Sequence, residues 1–146
     1  MSVAIEAIRT VTDELVQAVG RLLPQLSRSA PPLDTEALRR LVSWDGNRFL
    51  VARVDGRIVG MLTLVMFPIP TGLRAWIEDV VVDESARGHG VGAALTEEAV
   101  RLAKAEGVRT VDLTSRPSRA AANRLYERMG FQVRDSKVYR FQSTDS

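Results

Sequence analysis

The run Val80–Ala93 (Val-Val-Val-Asp-Glu-Ser-Ala-Arg-Gly-His-Gly-Val-Gly-Ala) is the part of the sequence best suited to chemistry. An apolar, strand-like stretch ends at Val82, a short polar turn follows, and Gly88, Gly90 and Gly92 lead directly into a helical pattern. Glycine lets the main chain approach a ligand closely and adopt conformations that other residues resist. The first turn of a helix leaves N–H groups without intrahelical partners, and the aligned peptide dipoles place about half a positive charge there. Strand, glycine turn and helix start in succession therefore make a seat for a pyrophosphate. Arg87 adds a fixed charge and a planar donor fork. The turn lacks the Gly-Lys-Ser/Thr ending of a P-loop. It also comes too late in the chain, with no repeated βαβ pattern, for a dinucleotide fold.

Two further sets of residues stand out. Glu78 and Asp79 are adjacent acids in an otherwise apolar strand, a costly arrangement unless they face a cleft. Successive strand residues point to opposite faces, so both can serve one site only if the strand bulges locally. The plain alternative is an acid bonded to backbone groups. Tyr126 follows Asn123 by one helical turn, so the two share a helix face. On its own, Tyr126 also reads as a half-buried aromatic beside Leu125. His89, the one histidine, sits in the turn and is expected to face solvent; Trp44 and Trp76 are expected to pack.

The elements that position these groups follow from periodicity and punctuation. Val3–Val11 reads as a strand. Thr12 caps a helix carrying Leu15, Val19, Leu22 and Leu23, which Pro24 is expected to stop. Asp34 caps a second helix with Leu38, Leu41 and Val42 on one side. Arg48–Val54 and Ile58–Phe67 are strands joined by Asp55-Gly56, a hairpin signal, and Arg74–Val82 is the next strand. Gly90–Glu106 is a long helix with Val91, Leu95, Ala99, Leu102 and Ala103 on one face, stopped by Gly107. Thr110–Thr114 is a short strand, Ala120–Met129 a helix ended by Gly130, and Phe131–Phe141 closes with strand-like sequence. The order predicts an α/β fold of the α+β type, with helices covering a mixed, mostly antiparallel sheet.

Length and composition set the outer bounds. The chain has 146 residues, enough for a single domain over residues 1–146, with 45% hydrophobic and 26% charged residues. No apolar run is long enough to suggest a membrane span, and the N-terminus lacks a signal-peptide pattern. The complete lack of cysteine removes disulfides, thiolate metal sites and cysteine nucleophiles, and no metal site is expected. A cytoplasmic location is the default expectation. The pI of about 9.5 coexists with a net charge of only +2, because nearly all the cations are arginine. That small net charge argues against a nucleic-acid binder built on bulk electrostatics. Arg101–Arg140 does hold ten Lys/Arg against four Asp/Glu, either a solvated surface or a phosphate-facing one.

Taken together, these motifs resemble the GNAT superfamily of N-acetyltransferases. Arg87-Gly88-His89-Gly90-Val91-Gly92 matches its Arg/Gln-x-x-Gly-x-Gly/Ala signature, and Ile77-Glu78-Asp79-Val80-Val81-Val82 resembles its fourth strand. Ala122–Phe131, containing Asn-x-x-Tyr and a closing Gly-Phe, resembles its later helix. The resemblance implies about four helices around a sheet whose fourth and fifth strands splay apart, with the pantetheine arm of acetyl-coenzyme A between them. The backbone of Val80, Val81 and Val82 would pair with that arm, and the N–H groups of Arg87, Gly88, His89, Gly90, Val91, Gly92 and Ala93 would hold the pyrophosphate. Asn123 matches a coenzyme-contacting position, and Tyr126 matches the tyrosine that protonates the departing thiolate. The family's fourth strand carries a bulge, which would let one of the two acids, Glu78 through a water or else Asp79, take a proton from the substrate ammonium while the other holds a cationic or polyhydroxylated substrate. Arg116 and Arg119 are either surface charges or contacts to the 3′-phosphate. The acceptor would be an amine of a small molecule or peptide, attacked directly in a ternary complex, with no membrane partner and with a homodimer through the C-terminal strand compatible with the family. The alternatives are a non-catalytic acyl-coenzyme A sensor and an RNA-directed acetyltransferase.

Overall fold

The computed structural model describes residues 2–143, which pack as two compact units divided between Thr114 and Ser115. The first unit is built on a five-stranded sheet in the order β1 (Val3–Ala7), β2 (Asn47–Val54), β3 (Arg57–Ile69), β4 (Gly72–Val82), β5 (Thr110–Asp112). The first four strands are antiparallel in sequence, and β5 lies parallel to β4. Two hairpins therefore supply most of the sheet. The β2–β3 turn is Asp55-Gly56, both residues at positive φ as a tight two-residue turn requires. The β3–β4 turn brings Ile69 opposite Gly72.

Three helices sandwich this sheet. α1 (Asp13–Leu26) starts at Thr12, whose hydroxyl accepts the Leu15 N–H at 3.2 Å, and α2 (Thr35–Ser43) starts at Asp34, whose carboxylate accepts the Ala37 N–H at 2.8 Å. Leu15, Ala18, Val19, Leu22 and Leu38 from these helices close over Phe49, Val51, Met61 and Val81 of the sheet. Burying each such leucine is worth about 2 kcal/mol. α3 (Val91–Ala105) covers the opposite face: Gly60, which alternates with Met61 along β3, lies beneath Val91 and Leu95. With both faces covered, Phe49–Ala52 is buried without a break, so β2 shows no period of two.

Four expectations need correction. Pro24 does not stop α1; it sits in the last turn, the helix runs on to Leu26, and the carbonyl its ring must pass belongs to Gly20, where no side chain adds to the crowding. β3 runs through Pro68 to Ile69 because β2 has already ended opposite Val65, so the missing N–H faces no partner strand. Phe131–Phe141 has alternating apolar residues but forms no strand among the described residues. Val133, Val138, Tyr139 and Phe141 are all exposed there, since alternation marks a sheet-compatible segment without supplying the strand it must pair with. The second unit is therefore α4 (Ala120–Arg128) with its flanking segments. Trp44 is likewise not a packing residue, being 70% exposed just past α2.

Candidate active site

The parallel pairing of β4 with β5 covers only Arg74–Trp76 against Thr110–Asp112. Arg74 clasps it there, donating to the Asp112 carboxylate at 2.7 Å and to the Thr110 hydroxyl at 3.2 Å. β4 then continues for six residues, Ile77–Val82, bonded to β3 on one side and to no strand on the other among the described residues. An unpaired strand edge presents a row of main-chain donors and acceptors. The ladder stops after three pairs, where β5 itself ends at Asp112, so the later part of β4 is left open as the expected parting of the two strands requires.

The expected bulge lies in the same stretch. Met61 pairs with Val81 and Thr63 with Glu78, so two steps along β3 correspond to three along β4. Asp79 absorbs the extra residue at φ +50°, in the left-handed region that costs a non-glycine residue about 1–2 kcal/mol. The kink turns both Glu78 and Asp79 to solvent while Ile77 and Val81 on either side remain buried. Val80 and Val82 are half-buried along the open edge.

β4 ends at the turn, and Asp83 anchors it. Its N–H donates to the Val59 carbonyl at 2.7 Å, and its Oδ1 accepts from both the N–H and the hydroxyl of Ser85 at 3.0 Å. These bonds, the Ser85 N–H foremost, hold the carboxyl below its ordinary range against the opposing effect of burial; Arg57 and Arg21 add smaller electrostatic contributions. A single 3₁₀ turn, Glu84–Ala86, follows, braced from α1 by the Gln25 side chain, which accepts the Glu84 N–H at 3.0 Å. The signal for this anchor is present in the sequence, since Asp-x-Ser before a helix marks a turn, but it does not name Asp83 as a functional residue.

Gly88 and Gly90 take φ values of +82° and +78°, which turn the chain from the 3₁₀ segment into α3. No side chain caps α3. Its first bond runs from the Ala94 N–H to the Gly90 carbonyl at 3.0 Å, so the N–H groups of Val91, Gly92 and Ala93 precede the first intrahelical bond. Arg87 differs from its neighbours: its N–H reaches the Glu84 carbonyl at 3.4 Å and its Nε–H the Val82 carbonyl at 3.3 Å, so it locks the turn to the end of β4. Arg87, Gly88, His89 and Gly90 are exposed, whereas Val91 is buried and ties the helix start to the sheet through Gly60. Nothing in the sequence singled out Gly60; its role depends on a neighbour about thirty positions away.

In the second unit, Asn123 and Tyr126 lie on α4, both half-buried. The Tyr126 ring meets Phe131 edge-on at 5.9 Å between centroids. The Asn123 side chain is engaged at both ends: the Ser115 hydroxyl bonds its Oδ1, and its Nδ2 donates to the Arg116 carbonyl at 3.0 Å. Elsewhere, a cleft of about 370 Å³ opens between Arg9–Val11 and Arg39, Val42 and Ser43 at the β1 edge of the sheet. None of the expected site residues lines it, and β2 and β3 lie between β1 and β4. Among the described residues there is no cluster of three or more His, Cys, Asp or Glu that could hold a metal, and no helix long and apolar enough to cross a membrane.

Comparison with known proteins gives a consistent result. The family described as "Acetyltransferase (GNAT) family" matches residues 17–131. A glucosamine 6-phosphate N-acetyltransferase from Trypanosoma brucei brucei is 34% identical over 117 residues, covering 75% of this chain and 78% of the relative. A mycothiol acetyltransferase from Beutenbergia cavernae is 35% identical over 77 residues, 53% of this chain but only 25% of that longer protein. The crystal structure of a Trypanosoma brucei acetyltransferase superposes with a TM-score of 0.78 at 27% identity, covering 97% of this chain and 100% of that one.

Proposed function

The chain belongs to the acetyltransferase (GNAT) family, and from that premise we propose that it carries an acetyl group from acetyl-coenzyme A to a primary amine by direct attack in a ternary complex. It is an acyltransferase acting on an amine, and the family generally uses acetyl-coenzyme A. The observation that supports this donor most strongly is the continuity between the open edge of β4 from Ile77 to Val82 and the glycine turn at the start of α3. Acetyl-coenzyme A has the matching order of groups: an acyl thioester, an extended arm with two amides, then a pyrophosphate. The arm pairs with the strand edge at Val80–Val82, and the N–H groups from Gly88 to Ala93 receive the pyrophosphate at the positive end of the helix.

The chain's own groups then supply the proton transfers and charge stabilisation. Glu78, through a water, takes the proton from the acceptor ammonium, leaving a neutral amine to attack the thioester carbon. The Val80 N–H faces the carbonyl oxygen as it gains negative charge. The bond from carbon to sulfur breaks, and Tyr126 gives its phenolic proton to the sulfur that leaves. Asp79, held outward by the bulge, meets the cationic or hydroxylated part of the acceptor. A small amine such as an amino sugar suits the pair of exposed acids, and the relative named for glucosamine 6-phosphate supports starting a screen with amino sugars.

Isothermal titration with acetyl-coenzyme A tests the donor site. Wild type is expected to bind at micromolar strength, and Gly90→Glu, which adds both a charge and a side chain at φ +78°, to lose binding. A correctly folded wild type that takes up no acetyl-coenzyme A would sink this assignment.

A further inference from the structure

α4 begins without the usual device. Arg119 at its N-cap makes no side-chain capping bond and has φ −88°, ψ 62°. Helix starts without a cap leave N–H groups to be satisfied some other way. Here the loop is closed from inside the helix. The Arg116 carbonyl accepts the Arg119 N–H at 3.0 Å and also the Asn123 Nδ2–H at 3.0 Å, while the Ser115 hydroxyl bonds Asn123 Oδ1. The Asn123 N–H in turn makes the first-turn bond to the Arg119 carbonyl at 2.9 Å. The Asn123 side-chain amide thus holds the Ser115–Arg116 end of the loop, and its main-chain N–H the Arg119 end, against the first turn of α4.

An asparagine amide engaged at both ends in this way has little left for a ligand: one N–H and the second lone pair on its oxygen. Tyr126 lies one turn further along the same face, and its ring position is completed by the edge contact with Phe131. We propose that Asn123 acts in the reaction as a positioning residue rather than as a coenzyme contact, and that Ser115 is its working partner: together they set the register of α4 and hence the placement of the Tyr126 phenol. The kinetic side of this inference rests on the acetyltransferase reading above; the structural side does not.

The protein has two tyrosines, Tyr126 and Tyr139, so 3-fluorotyrosine labelling gives two ¹⁹F resonances, assigned with Tyr126→Phe. Ser115→Ala and Asn123→Ala are each expected to shift or broaden the Tyr126 resonance alike and leave that of Tyr139 in place. The double variant should go no further than the stronger single one, as coupled partners require. Ser115→Thr, which keeps the hydroxyl, should restore the wild-type spectrum. In turnover with an amine found by screening, both alanine variants should lower kcat by a similar factor, about 5–10-fold, for one lost hydrogen-bonding partner. Coenzyme A affinity by titration should stay within about threefold, since no ligand contact is removed. The inference is overturned if Asn123→Ala weakens coenzyme A tenfold or more while Ser115→Ala leaves both affinity and spectrum unchanged, because Asn123 would then touch the coenzyme directly. If wild type binds no coenzyme A, the functional reading fails, and the fluorine spectra alone still decide whether Ser115 and Asn123 hold Tyr126.

Discussion

Replacing Gly60 by alanine adds one methyl group beneath the start of α3. That Cβ would lie 3.0 Å from Val91 Cγ1, 3.2 Å from Leu95 Cδ1 and 3.3 Å from the Val81 carbonyl oxygen. The two side-chain ends can give a few tenths of an ångström, but the carbonyl belongs to β4, and moving it disturbs the pairing that runs from Gly60↔Val82 to Met61↔Val81. Overpacking of this kind costs about 1–3 kcal/mol. For a domain of this size that lowers Tm by roughly 4–10 °C. Val91 is the first residue of α3, so relief comes by lifting the helix start away from the sheet and with it the N–H groups of the turn. Acetyl-coenzyme A affinity should fall by about 3–10-fold, equivalent to about 1 kcal/mol. Gly92→Ala is the matched control: its Cβ would make an ordinary contact at 3.8 Å with Val82, within a helix where alanine is favoured by up to about 1 kcal/mol. Thermal melting of the two variants should therefore move in opposite directions from one added methyl. If Gly60→Ala melts within about 1 °C of wild type and binds the coenzyme equally well, the idea that close packing at Gly60 sets the donor turn is wrong.

Tyr126→Phe is expected to lower kcat by about 100-fold at neutral pH with coenzyme affinity within twofold, and an unchanged kcat would remove Tyr126 from its assigned role. Asp79→Gly relieves the positive φ at the bulge, so stability should rise by about 1 kcal/mol while kcat/KM for the acceptor falls; a loss of both would show that the bulge does not depend on strain at this position. The Asp83 carboxyl is held below its ordinary value of 3.8, so its charge stabilises the fold fully above that pH and less as pH drops through the depressed folded value. The Tm gap between wild type and Asp83→Asn should accordingly be present at pH 7 and close on acidification below about pH 3.8; a gap that is the same at both ends of that range would contradict the assignment of the bond to Ser85.

Most of the architecture was legible because its signals are local. Thr12 and Asp34 cap the helices they precede, Asp55-Gly56 makes its hairpin, and the glycine turn leads from β4 into α3 as its residue types require. The bulge at Asp79 was legible only through the family resemblance, since two adjacent acids by themselves equally allow one of them to bond backbone groups. What escaped the reading depends on partners distant in sequence. Gly60 looks like any strand glycine until Val91 and Leu95 lie on it. Pro68 looks like a stop until β2 is seen to end before it. The alternation after Phe131 names a face without naming a neighbour, and Asn123 carries no sign that Ser115 and Arg116 occupy its amide.

The open edge of β4 has a consequence for how such a protein can diversify. In the proposed binding mode its grip on the donor would be written in peptide groups, which every residue except proline carries alike, so side-chain substitutions along Val80–Val82 would leave the hydrogen-bonding atoms in place. The proposed acceptor end, by contrast, would be lined by exposed side chains such as Glu78 and Asp79, where a single replacement changes charge and shape. Inheritance of the donor and drift of the acceptor are thereby separated along one strand, and a lineage can change its amine without having to rediscover its acyl carrier.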